Sequence, residues 1–266
     1  MRKKRMLVSA AVVFSLLIFV FGIFCEAEAA YPDRPIRLII PFPPGGNTDI
    51  IARAIGTELG KNLGVAVVIE NRGGAGGMLG SEVVANSPAD GYTIMMVSAS
   101  HVINPSMQKR IPYDTINDFV GISMVADVPT VLVVHPSVQA KTLKELIAHA
   151  KANRDKLNFA SSGKGTVGHL SGELLKSMAE IKMVHVPYKG NGPAMIDLLA
   201  GYVQLLFSSM PSALQHIQSG TIRSIVMTGA KRSSAAPNIP TMAEAGLPGF
   251  EVSTGFGMFA PAKTPR

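Results

Sequence analysis

Alternation between short β-branched runs and longer amphipathic segments constrains this chain more than any other feature. Ile36-Arg37-Leu38-Ile39-Ile40-Pro41 reads as a buried strand. Thr48 to Leu63 then carries Ile51, Ala54, Ile55, Leu59 and Leu63 at helical spacing, and Gly64 stops it. Val65 to Glu70 is a second strand, Leu79 to Asn86 a helix and Tyr92 to Val97 a third strand. Such a β-α-β-α-β order implies an α/β fold with a mostly parallel sheet covered on both faces. The pattern restarts with a helix over Thr142 to Lys151, where Thr142 and Glu145 form a capping box. Strands over Leu157–Ala160, Met183–Pro187, Val203–Ser208 and Ile222–Thr228 follow, with helices over Thr166–Ala179 and Gly192–Ala200. The result is two α/β units of about 100 residues each.

Two extended apolar stretches, Val128 to His135 and Phe250 to Ala260, lie between these units and are bounded by Pro129, Pro136, Pro248 and Pro261. Neither resembles a Gly/Ser linker. They read as two strands crossing between lobes in opposite directions, which makes a hinge and leaves a cleft. The expected division is residues 30–129 with 251–266 in the first lobe and 130–250 in the second.

Ahead of the first strand, Arg2-Lys3-Lys4-Arg5 precedes an uncharged, mainly apolar run to Phe24, and Ala27-Glu28-Ala29 offers small residues at a cleavage site. That order is a secretory signal peptide over residues 1–29, cut after Ala29 or Ala30, and it directs the protein to the periplasm. The length of the run also fits an uncleaved anchor. Cys25 is the only cysteine and lies in this leader, so the rest of the chain has no disulfide and no thiolate chemistry. The formal charge of +7 includes the four leader bases, and the remaining bases are dispersed. No nucleic-acid footprint follows from that distribution. The absence of Trp argues against a sugar-stacking platform.

Ligands of parallel α/β units sit beyond the carboxyl ends of strands, near helix N-termini. Two loops qualify. Pro41-Phe42-Pro43-Pro44-Gly45-Gly46-Asn47-Thr48-Asp49 follows the first strand; its prolines stiffen it and its glycines allow close backbone approach. Asn47 or Thr48 would cap the next helix, whose free N–H groups favour an anion. Ala160-Ser161-Ser162-Gly163-Lys164-Gly165-Thr166 is the second loop, and it lacks the spacing of a phosphate-binding loop. Facing each other, the two loops would hold a carboxylate through neutral donors.

Enzymatic readings find less support. The Gly73–Gly80 tract has Leu79 where a dinucleotide fingerprint needs its third glycine. Ser161 or Ser162 with His169 would be the only candidate nucleophile and base, as in an exported serine hydrolase, but no Gly-x-Ser-x-Gly elbow exists. The histidines show no metal-ligand spacing, so no metal and no cofactor are expected.

Several short motifs, in order, carry a resemblance. They include Tyr31-Pro32-Asp33-Arg34-Pro35-Ile36, Pro41 to Asp49, Glu70-Asn71-Arg72, Tyr113-Asp114 with Asp118-Phe119, and Phe159 to Leu170. Val186-Pro187-Tyr188-Lys189-Gly190, Pro193-Ala194 with Asp197-Leu198, Ile239-Pro240-Thr241 with Glu244-Ala245-Gly246, and Ala260-Pro261 complete the series. Together they resemble the substrate-binding proteins of tripartite tricarboxylate transporters, the Bug-type family. The resemblance implies a two-lobed, type II periplasmic-binding-protein fold that closes on a small carboxylate and delivers it to membrane permease subunits, as a monomer. A sensory receptor for the same ligands would share that form.

By the same resemblance, Phe42, Pro44, Gly45, Gly46, Asn47 and Asp49 grip the ligand together with Ser161, Ser162, Gly163 and Thr166. Ser98, His101, Tyr188 and Ser208 would line the cleft. This chain has Ser208 where such proteins commonly carry aspartate and Gly255 where they carry tryptophan. They also run on for several tens of residues past the position of Arg266, and those residues are expected to return over the first lobe.

Overall fold

The β-rich runs of the sequence become nine strands, and the computed structural model that shows them describes residues 31–265. The leader lies outside the described residues. Residues Arg34–Arg266 form one compact unit.

The first lobe opens with β1 (Ile36–Ile40), α1 (Asn47–Leu63), β2 (Val67–Asn71), a 3-10 turn (Ala75–Gly77) and α2 (Met78–Ala85). It continues with β3 (Thr93–Ser98) and α3 (Ser100–Met107). A 16-residue strand, β4 (Phe119–Val134), leads to the second lobe. There follow α4 (Leu143–Ala152), β5 (Asn158–Ser161), α5 (Val167–Ala179), β6 (Val184–Pro187) and α6 (Asn191–Leu199). The order ends with β7 (Leu205–Ser209), α7 (Met210–Gln218), β8 (Arg223–Met227) and β9 (Ser253–Pro261). The capping box at α4 forms as expected, with Glu145 N–H donating to Thr142 Oγ1 at 3.2 Å.

Strand order is β2-β1-β3-β9-β4-β7-β5-β6, with β8 also paired to β4. β1, β2 and β3 are parallel, as are β5, β6 and β7. The middle is antiparallel: β9 runs against β3 and β4, and β4 runs against β7 and β8. Each sheet is therefore mixed rather than mostly parallel. The reason is topological, since a chain that crosses between lobes and returns must run in opposite directions.

β4 supplies the continuity. From Phe119 to Pro129 it pairs with β9, and from Thr130 onward with β7 and β8. The Thr228 hydroxyl ties this switch point together: it donates to Val252 O at 2.6 Å and accepts from Thr130 N–H at 3.0 Å.

Period-two alternation explains how each sheet buries both faces. In the first lobe Ile36, Leu38 and Ile40 point to a core that includes Ala52 of α1, while Ile39 joins Val84, Met95 and Phe119 opposite. In the second, Leu132, Val134, Phe159 and Phe207 pack with Leu143, Leu146 and Leu175, while Val131, Val133 and Leu206 meet Ala194, Leu198 and Ala213. Helices thus flank both sheets, and the fold is the two-lobed one expected. Among the described residues no helix is long and apolar enough to cross a membrane.

Candidate functional site

Where β4 and β9 cross, a cleft of about 40 Å³ opens between the ends of the strands. That is room for about two or three water molecules, so the lobes stand nearly shut over it. It is lined by Phe42, Gly46, Asn47 and Thr48 from the start of α1, and by Ser162, Thr166, Val167 and Gly168 from the start of α5. Asn191 from α6, Ser98, Thr130, Thr254 and two further aromatic faces, Phe207 and Phe256, complete it.

Three helices start at this cleft. Gly46, Thr166 and Gly190 are the N-caps of α1, α5 and α6, and none gives a side-chain capping bond. The expectation that Asn47 or Thr48 caps α1 is corrected: both lie inside the helix, and Gly46 holds the cap in an extended conformation. First-turn N–H groups have no acceptor inside their own helix. They therefore offer partial positive charge, worth about 0.3–1 kcal/mol per end to a nearby anion and up to ~2 when partly buried. No lining residue is Asp, Glu, Lys or Arg. The Asn191 amide donates to Ser208 Oγ at 3.1 Å and Ser212 Oγ at 2.9 Å, and its buried Oδ1 has no partner.

The loops of the two lobes touch, and glycines make this possible. A Cβ at Gly163 would lie 3.7 Å from Gly76 Cα, and one at Gly165 3.2 Å from Met107 Cβ. On the other side a Cβ at Gly192 would reach within 3.0 Å of Pro44 O. The first loop singled out in the sequence thus meets the start of α6, the second meets Gly76 and Met107, and both border the same cleft.

Of the expected ligand contacts, Phe42, Gly46, Asn47, Ser98, Ser162 and Thr166 line the cleft. The others stand behind it or at its rim. Pro44 and Gly45 are exposed rim residues. Asp49 is buried and accepts from Gly45 N–H (2.9 Å), Arg53 Nε (2.9 Å) and Asn71 Nδ2 (2.9 Å). Burial alone would raise its carboxyl, but the Arg53, Gly45 and Asn71 bonds outweigh that and hold it below the usual range. Asp49 thus fastens the loop it belongs to. Asp49→Ala should cost about 3 kcal/mol of stability, by removing the acceptor of Arg53 and Gly45 and one of the two acceptors of Asn71, which keeps Phe42 O. Chemical denaturation at pH 7 measures it.

His101 is also buried, among Tyr113, Phe119 and Phe259, with Nδ1 3.3 Å from Ser81 Oγ. Tyr188 points its hydroxyl at Asp197, 2.6 Å away, and burial followed by that carboxylate pushes its pKa up to about 12. Ser208 is fully buried beneath Asn191. Ser161 is likewise buried; its hydroxyl lies 2.7 Å from His185 Nε2, while Gly163 N–H donates to it at 3.2 Å. Gly163 is buried where the loop turns, with Thr166 Oγ1 donating to its carbonyl at 2.7 Å.

Thr130, Val167, Gly168, Asn191, Phe207, Thr254 and Phe256 reach the cleft without having been singled out, and Thr48, read only as a helix cap, also lines it. Asn191 carried a readable signal, because Gly190-Asn191 repeats the Gly46-Asn47 helix start. Thr130 and Thr254 carried none, since the strand switch alone brings them there.

The serine–histidine pairing differs from the hydrolase alternative. His169 Nδ1 accepts from Gly165 N–H at 3.1 Å and stacks on His185, and it bonds to neither serine. Ser161 is buried and His185 half-buried, and desolvation with the neighbouring His169 drives His185 down to about 4. It braces the loop. Among the described residues no cluster of His, Cys, Asp and Glu could hold a metal ion.

A two-lobed α/β frame closing over an uncharged cleft defines a solute-binding protein. Residues 51–266 match the family described as tripartite tricarboxylate transporter family receptor. The BugT protein of Bordetella pertussis is 43% identical over 257 residues, 95% of this chain and 78% of its own. Among solved structures, R. palustris Rpa4515 with adipate superposes with a TM-score of 0.86 at 37% identity, over 88% of this chain and 79% of that one. MatC from Rhodopseudomonas palustris with bound malate gives 0.83 at 33% identity, over 88% and 80%. The chain belongs to the tripartite tricarboxylate transporter receptor family, and is of the Bug type. That is a family of binding proteins.

Proposed function

We propose that this protein is an extracytoplasmic receptor that captures a small carboxylate in the cleft between its lobes and delivers it to a membrane transporter of the tripartite kind. One observation carries the reading: three helix N-termini without side-chain caps converge on a cleft that has no charged lining residue. Such a site holds an acid group with main-chain N–H donors and hydroxyls rather than with an ion pair. The adipate and malate bound by its structural relatives support the same ligand class.

In this reading Phe42, Gly46, Asn47, Ser98, Ser162 and Thr166 contact the ligand, joined by Thr130, Asn191 and Thr254. Pro44, Gly45, Asp49, Ser161, Gly163, Tyr188, Ser208 and His101 shape the loops and the floor. The lobes divide at 129/130 and 250/251, and the ligand is enclosed by rotation about that crossing. The receptor acts as a periplasmic monomer after removal of residues 1–29, and it docks on permease subunits in the closed form.

The test is thermal unfolding in the presence of mono-, di- and tricarboxylates and aromatic acids, with sugars and inorganic cations for comparison. A ligand present at 100 times its Kd adds about 2.7 kcal/mol to apparent stability. At least one acid should raise the melting temperature by several degrees. A shift with sugars or cations and none with any acid would end the proposal.

A further inference from the structure

The loop that carries Gly163 and Gly165 is held from behind by two histidines. Gly165 N–H donates to His169 Nδ1 at 3.1 Å, which leaves that nitrogen bare and puts the ring proton on Nε2. The His169 ring stacks on His185, with centroids 4.1 Å apart, and His185 stacks in turn on Phe159. His185 Nε2 lies 2.7 Å from the buried Ser161 hydroxyl, which also accepts from Gly163 N–H at 3.2 Å. In front, the same loop touches the first lobe. A Cβ at Gly163 would lie 3.7 Å from Gly76 Cα, one at Gly165 3.2 Å from Met107 Cβ, and one at Gly76 3.4 Å from Lys164 O.

We infer that the His169–His185 stack is an acid-operated latch: a proton taken up by the pair frees Gly165 and loosens the loop's contact with Gly76 and Met107. The device goes beyond the receptor reading, because it belongs to the loop itself and acts whichever solute the cleft takes.

A protonated His169 carries N–H at both ring nitrogens, so the bond from Gly165 N–H becomes a donor–donor clash. Two rings stacked 4.1 Å apart also cannot both be charged without strong repulsion, so a single proton disturbs the pair. Among the described residues Glu173 is the only acid acting on either ring, and it is bonded to Lys176 at 2.8 Å. The other charges facing the pair are cationic, Lys176 from α5 and Lys164 from the loop. From β5 come the neutral Ser161 and Phe159, and from β6 His185 itself. Burial above all holds both rings below the usual 6.5. With the native values depressed, the closed loop is fully favoured above about pH 6.5 and progressively less so as the pH falls toward 4.

Amide hydrogen exchange of the ligand-free chain, read by NMR at pH 7.5 and 5.0 and corrected for intrinsic rates, tests the latch. In wild type the protection of Gly165 should fall by about tenfold or more between the two values. That fall should exceed any at Phe207, which lies in the core strand β7 and reports global unfolding. The Met107 methyl signal should shift over the same range. His169→Gln keeps an acceptor for Gly165 and takes up no proton, so both changes should vanish in it. Gly165 protection that tracks Phe207, a Met107 methyl that does not move, or an equal pH response in His169→Gln would each overturn the inference. Should His169→Gln not fold, the ring nitrogen shifts of wild type decide alone. His169 Nδ1 must then gain its proton in step with the loss of Gly165 protection, and protonation without that loss refutes the latch.

Discussion

Gly190→Ala should lower ligand affinity by roughly 100-fold while the melting temperature stays within a few degrees of wild type. The added methyl would sit 2.6 Å from Pro43 Cδ and 3.1 Å from Pro43 Cγ, and its three nearest heavy atoms all belong to that proline. Pro43 follows β1 in the first lobe, and Gly190 precedes α6 in the second. The clash therefore exists only while the lobes are shut. Overpacking of this kind costs about 1–3 kcal/mol, and ~2.7 kcal/mol against the closed form converts to a hundredfold loss in affinity. Each lobe keeps its own core, and the backbone strain of a side chain at φ +159°, about 1 kcal/mol whether the lobes are open or shut, lowers the melting temperature by only a few degrees.

Calorimetric Kd, thermal melting and small-angle scattering read the three consequences: weaker binding, unchanged unfolding, and a larger radius of gyration with ligand present. Gly121→Ala is the control, since its new methyl would meet only Phe259, at 3.8 Å. An unaltered Kd in Gly190→Ala would show that the two loops need not meet for capture. Equal losses of affinity and stability would make Gly190 part of a packed core.

Acid should destabilise the protein well before its carboxylates titrate. Burial drives His101 from 6.5 to about 4, and no charged group touches its ring. The native state thus refuses a proton that the unfolded chain takes up near its ordinary value. With the native pKa depressed, the stabilisation is complete above about pH 6.5 and is lost as the pH falls toward 4. For His101 alone the loss between pH 7.5 and 4.5 is about 2.5 kcal/mol, a sizeable part of a stability of roughly 5–15 kcal/mol. His185, also driven down to about 4 by burial and by His169, adds to the loss in the same direction.

Urea denaturation at the two pH values measures the difference. His101→Phe, which keeps an aromatic ring among Tyr113, Phe119 and Phe259, should remove most of it. A pH dependence identical in wild type and variant would mean that His101 is hydrated and free to ionise.

Much of the frame was legible because it follows from local periodicity. β1, β2, β3 and the helices between them could be placed from the spacing of Ile, Val and Leu, and the capping box at Thr142 announced α4. α3 and α7 were not read. Ser100–Met107 contains Pro105 and begins with polar residues, and Met210–Gln218 follows β7 with no intervening turn, so neither shows a separate amphipathic signal. The first half of β4 was missed for a related reason. Gly121, Ile122, Ser123 and Met124 are exposed, and two register shifts against β9 break the alternation there.

The cleft divided along the same line. Pro43-Pro44-Gly45-Gly46 and Ser161-Ser162-Gly163 could be singled out because a stiff or glycine-rich turn between strand and helix is a local property of the chain. The side chains behind those turns could not be sorted from the side chains in front of them. Asp49 reads as a ligand contact until Arg53 and Asn71 are seen to claim both its oxygens. His101 reads as a cleft residue until Tyr113 and Phe119, brought in from farther along the chain, enclose it.

The sequence by itself determined the two α/β units, the loops at their strand ends and the neutral donors those loops carry, because each depends on residues within one or two helical turns of one another. The tertiary structure alone decided that β4 runs unbroken from one sheet to the other, that Thr130 and Thr254 enter the cleft with Asn191, and that Gly190 meets Pro43. Those contacts join residues far apart in the chain. Their geometry is set by how two sheets pack and cross, which no local pattern encodes.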